Sequence, residues 1–191
     1  MNAPAVILAA LLTISGTQIP DTSPKAAPAS VFLVHDDPHK EWCAFTSESS
    51  WRSRVDSSEA TTVGTLNYSD SRLISIDVTT DDEAGDWTVF DHYTVTKTGS
   101  LERLDRRANI LPGRRSALET YALVDGKARL QSRETKDLTS GEKLTSGETW
   151  LPKVRIALRL TDFQFAPLAQ TKYSEILSKG KVCAATRSGA P

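Results

Sequence analysis

The chain has 191 residues, 39% hydrophobic and 25% charged, with 23 Lys and Arg against 24 Asp and Glu. That composition excludes a disordered tail, a collagen-like repeat and a multi-span membrane protein, and it suits one domain with a real core. A net charge of −1 leaves no global basic footprint, so no nucleic-acid partner is expected.

The apolar run Ala5 to Ile14 has the length of a signal-peptide h-region and is too short to span a bilayer. Residues 1–17 are therefore expected to be a signal peptide. The chain then reads as exported, periplasmic or extracellular, with no transmembrane segment once processed. Residues 18–30 carry Pro20, Pro24 and Pro28 among Ala, Ser and Thr, the composition of an extended linker. A single β-rich domain is expected over 31–191.

Cys43 and Cys183 are the only cysteines. In an exported chain they should form a disulfide tying the two ends of the domain together. Neither has a second Cys near it, which excludes a CxxC redox motif and a thiolate zinc site.

Residues His35 to Val55 show no clean period. From Thr61 onward the pattern is β. Thr61–Tyr68 and Arg72–Thr79 flank a turn at Ser69-Asp70-Ser71, with Ile74, Ile76 and Val78 alternating. Asp81 to Asp86 is a polar turn. Trp87 to Lys97 follows with Trp87, Val89, Tyr93 and Val95 on one face, and Leu101 to Asn109 returns. Leu118–Val124 and Lys127–Thr135 flank Asp125-Gly126, which favours a type I′ turn. Short loops force antiparallel neighbours. The repeat Leu138-Thr-Ser-Gly-Glu142 and Leu144-Thr-Ser-Gly-Glu148 reads as a surface loop. Pro167 to Lys179 has Leu168, Tyr173, Ile176 and Leu177 roughly on one helical face, with Gly180 at the C′ position. The expected fold is mainly β (α+β), an antiparallel meander or half-barrel sheet covered by a C-terminal helix. At the level of fold alone it resembles the half-barrels of periplasmic lipoprotein carriers, which implies a sheet face able to hold an apolar ligand.

His35-Asp36-Asp37-Pro38-His39 is the densest set of metal-competent side chains. His35, Asp37 and His39 would need a ligand from elsewhere, such as Asp91 or His92. Asp91 stands in phase with Trp87 and Tyr93, so it should face the core. It must then be paired, with Arg103 or Arg106 as structural partners, or serve as a site residue, unless a β-bulge turns it outward. His92 falls on the opposite face. Arg103, Arg106, Arg107, Arg114 and Arg115 cluster in one hairpin. Lys127, Arg129 and Arg133 recur at even spacing on the next, expected on one strand face as an anion surface or as partners of Glu102, Glu119 and Glu134. Asn67-Tyr68-Ser69 matches the glycosylation triplet.

No G-x-S-x-G elbow is present. The leading expectation is a non-catalytic binding or accessory protein of the cell envelope, acting on a small molecule or a protein, with a sheet-lined apolar pocket. Trp87, Asp91 and Tyr93 would line it, with Arg103, Arg106 and Arg129 at its rim. No cofactor is expected. A metal protein or enzyme built on His35 and His39, and an interaction module using a sheet edge, are the rival expectations.

Overall fold

A computed structural model describes residues 29–36, 41–56, 60–144 and 151–185 of the chain. Nine strands form one open sheet: β1 Ala29–Asp36, β2 Glu41–Phe45, β3 Thr62–Ser69, β4 Arg72–Asp81, β5 Trp87–Val95, β6 Leu101–Ile110, β7 Arg115–Val124, β8 Lys127–Asp137 and β9 Lys181–Ala185. The order is β8-β7-β6-β5-β4-β3-β1-β2-β9, and every pairing is antiparallel. Strands β3 to β8 are the expected meander, each beside its neighbour in sequence. Two short turns from the sequence hold: Asp125 and Gly126 both take positive φ, and so do Asp70 and Ser71.

Alternation divides the sheet into two faces. Val31, Leu33, Trp42, Leu66, Ile76, Tyr93, Leu104 and Leu123 point to one face, where the C-terminal segment covers them. That cover begins with a strap of irregular backbone, residues 151–159. It continues through Phe163 and Phe165 into α2 Ala166–Gln170 and α3 Tyr173–Lys179. Phe165 meets Trp42 edge-on at 5.1 Å between ring centres, and Phe163 meets Tyr93 the same way at 5.1 Å. The expected single helix is thus two short ones, because Thr171 and Lys172 are both extended. Gly180 ends α3 with positive φ, and its N–H donates to the Ile176 carbonyl.

The ambiguous stretch resolves into β2 and α1 Glu48–Asp56. Trp51 and Val55 of α1 pack on the other face, over Val34, Cys43, Phe45 and Val63, and the Trp51 indole donates to the Leu33 carbonyl at 3.0 Å. Beyond this corner the second face carries no helix among the described residues. No described helix is long and apolar enough to cross a membrane. Residues 1–28, including the expected signal peptide and most of the linker, lie outside the described residues.

Cys43 and Cys183 are bonded, as expected. They sit directly opposite each other on β2 and β9, with Cα atoms 4.1 Å apart. The bond fastens the five-residue edge strand that returns the cover to the sheet. It closes a separation of 140 residues, which loop entropy values at about 5 kcal/mol at most. Reduction should therefore lower the urea midpoint clearly and expose β9 first. An unchanged midpoint after confirmed reduction would contradict this role.

Candidate functional site

Asp91 and Arg106 stand opposite each other on β5 and β6, both pointing under the cover. They are 5% and 7% exposed, and Arg106 donates from Nε and one terminal nitrogen to the two Asp91 oxygens, each at 2.7 Å. The sequence left Arg103 and Arg106 open as partners; strand parity selects Arg106. Burial pushes the Asp91 carboxyl above the usual carboxylate range, and the Arg106 guanidinium only partly pulls it back. The row continues across the sheet to Glu119 on β7 and Arg133 on β8. Glu119 accepts from Arg133 Nε at 2.6 Å and from the Tyr121 hydroxyl at 2.8 Å.

Arg106 also holds the cover. Its other terminal nitrogen donates to the Val154 carbonyl at 2.9 Å, and the strap amide of Ala157 donates to the Tyr93 hydroxyl at 3.1 Å. Irregular backbone with no strand partner thereby finds partners on the sheet. Burial raises the Tyr93 hydroxyl's pKa well above its ordinary value, so it stays a neutral acceptor.

The cover does not fill the space beneath it. A pocket of about 170 Å³ remains between sheet and strap, walled by Trp42, Tyr93, Phe163 and Phe165 with Thr62, Thr80 and Asp91. It shares Trp42, Thr62 and Gln164 with a wider cleft of about 850 Å³ at the end of the sheet, where His35, Asp81, Asp82 and Glu83 stand. Trp42 is 2% exposed, and its indole nitrogen has no hydrogen-bond partner among the described residues.

The six residues expected to bind ligand separate. Asp91 and Tyr93 line the pocket, and Trp87 shares their sheet face at the far end of β5. Arg106 lies beneath the strap rather than at a rim. Arg103 is on the other face, held by Asp105 at 2.7 and 2.8 Å. Arg129 is also on that face. A bulge between Thr120 and Tyr121 of β7, opposite Gln131, breaks the period of β8, so Arg129 and Arg133 do not share a face. The pocket's other walls were not foreseen: Trp42 lay in the stretch without a period, and Phe163 and Phe165 precede the expected helix. Glu119, expected as a partner of basic residues on a solvated face, is buried; its phase with Ala117, Tyr121 and Leu123 was the signal for that.

His35 packs on Trp42 at 5.5 Å between ring centres. Asp37 and His39 lie outside the described residues, so the metal cluster drawn from them lies there too. Among the described residues the group of three donors close enough for one ion is Glu41, Cys43 and Cys183, whose sulfurs are in the disulfide. Asn67 is a poor glycan acceptor in this fold, its amide nitrogen donating to Asp77 at 2.6 Å and Ser75 at 3.1 Å. The chain matches no protein family, no curated protein and no solved structure.

Asp91→Ala leaves the Arg106 guanidinium buried without its carboxylate. It should cost about 3–5 kcal/mol in denaturant unfolding, whereas Asp105→Asn on the exposed face should cost under about 1 kcal/mol at neutral pH. The pH dependences are opposite in sign. The Asp91 carboxyl is raised, so its contribution is complete at low pH and is lost as pH rises through its native value. Arg103 lowers the Asp105 carboxyl, so that contribution is present above the ordinary carboxylate range and lost on acidification. Asp105→Asn should therefore lose less stability than the parent between neutral pH and pH 3. An equal loss would contradict the assignment.

Proposed function

We propose that this chain is a non-catalytic binding protein of the cell envelope, and that its ligand occupies the pocket between the sheet and the C-terminal cover. The observation that carries the reading is the space itself. Four aromatic side chains wall a pocket that the chain's own cover leaves unfilled, with a wider cleft leading from it. Small-molecule sites are mostly apolar concavities with a few placed polar groups, and Thr62, Thr80 and Asp91 supply such groups. A volume near 170 Å³ suits a body about the size of one aromatic ring. The unmet Trp42 donor supports the same reading, because a buried N–H without a partner costs about 1–3 kcal/mol. A ligand oxygen reaching it would recover that loss. The disulfide and the apolar N-terminal run are compatible with export.

The test is the native intact mass of the protein purified gently from its own envelope, compared with its denatured mass. The reading predicts excess mass in the native spectrum that disappears on denaturation, and a smaller excess in Trp42→Phe. Equal masses, together with tryptophan fluorescence unmoved by an envelope extract, would contradict it.

A further inference from the structure

The second face of the sheet carries a groove of about 530 Å³ over β4 to β8, separate from the covered pocket. Its floor is Phe90 and Leu118, and its wall is a row of paired polar residues: Asp77, His92, Asp105, Thr120 and Ser132 stand opposite one another across five strands. The groove's carboxylates are already engaged. Asp77 accepts from Asn67 at 2.6 Å and lies 2.6 Å from His92 Nδ1. Asp105 takes both arms of Arg103 and the Thr120 hydroxyl. Glu134 has Lys136 at 3.3 Å and Lys143 at 3.5 Å.

Arg107 differs. It is exposed, it lies in the middle of the groove, and its guanidinium stacks over the Phe90 ring at 4.4 Å. Among the described residues it has no carboxylate partner, although Asp77, Asp105 and Glu134 stand on the same sheet face. The neighbouring cations Arg103, Lys136 and Lys143 are each paired with a carboxylate, and Arg107 is not. Stacking occupies one face of the guanidinium and leaves the fork of N–H donors at its edge free.

We propose that this groove is a second binding site, and that it takes a small organic monocarboxylate. The ligand's carboxylate pairs side-on with the Arg107 fork, and its apolar body lies on Phe90 and Leu118. A planar fork matches a carboxylate in a bidentate manner, which an ammonium does not. One guanidinium without a carboxylate suits a monoanion and gives a dianionic phosphate too little compensation.

The probe is phenylacetate, titrated into the full, disulfide-bonded protein and followed by amide chemical shifts. Phenylacetamide serves as the neutral control of the same shape. The proposal predicts shifts centred on Phe90, Arg107 and Leu118, and binding at least tenfold tighter than the amide's. Arg107→Gln should reduce phenylacetate to the amide's affinity, and Arg107→Lys should lose most of the difference. Arg107 is exposed, so both variants should keep the parent spectrum elsewhere. Equal binding of acid and amide would overturn the proposal, as would affinity unchanged in Arg107→Gln. Shifts centred on Trp42, Phe163 and Phe165 would also overturn it, and would place the probe in the covered pocket instead.

Discussion

A carboxylate that alternation sends under the cover must be neutralised there, and the arrangement of this molecule follows from how that is done. Asp91 is in phase with Val89, Tyr93 and Val95, so a regular β5 cannot turn it to water. Arg106, directly opposite, supplies the charge and both hydrogen bonds. A guanidinium has more donors than one carboxylate can use. The surplus goes to the strap carbonyls at Val154 and Arg155. One buried ion pair thus satisfies itself and specifies where the C-terminal cover crosses the sheet. Tyr93, two residues along the same face, fixes the strap one step further on.

The two faces differ because the cover is short. Residues 151–179 pack across one face, and α1 protects only the β1–β2 corner of the other. Over β4 to β8 the second face meets water, and its sequence is suited to that. Thr79, Asp77, His92, Asp105, Thr120 and Ser132 alternate with the apolar residues that face the cover. Where the strap crosses the sheet, the aromatic rings that meet there leave a pocket beside Asp91.

The meander from β3 to β8 was legible because β4 and β5 alternate clearly and two of its turns carry Asp-Gly and Ser-Asp-Ser. The burial of Asp91, its pairing with an arginine on the next strand, the separation of His92 and the disulfide all follow from parity and from the cysteine count. Three features were not legible. Strands β1 and β2 are covered on both faces at the α1 corner, so Val31 to Val34 and Trp42 to Phe45 run apolar without alternation. The strap alternates at Val154, Ile156, Leu158 and Leu160 as a strand would, yet it pairs with no strand and takes its partners from the side chains of Arg106 and Tyr93. The bulge opposite Gln131 moves Arg133 to the covered face, and nothing in that run of Lys, Arg and Gln marks it. The pocket inherits this pattern: the walls on β5 were readable, and Trp42, Phe163 and Phe165 were not.

Hydrogen exchange of the strap amides tests the central claim most directly, that the buried pair fixes the cover. The amides of Ala157, Leu158 and Arg159 donate to Tyr93 and to Asp162. They should be protected in the parent protein although they belong to no strand. In Arg106→Gln they should exchange far faster while the amides between β5 and β6 stay protected. Strap amides exchanging at the free-chain rate in the parent, or equally protected in the variant, would contradict the account.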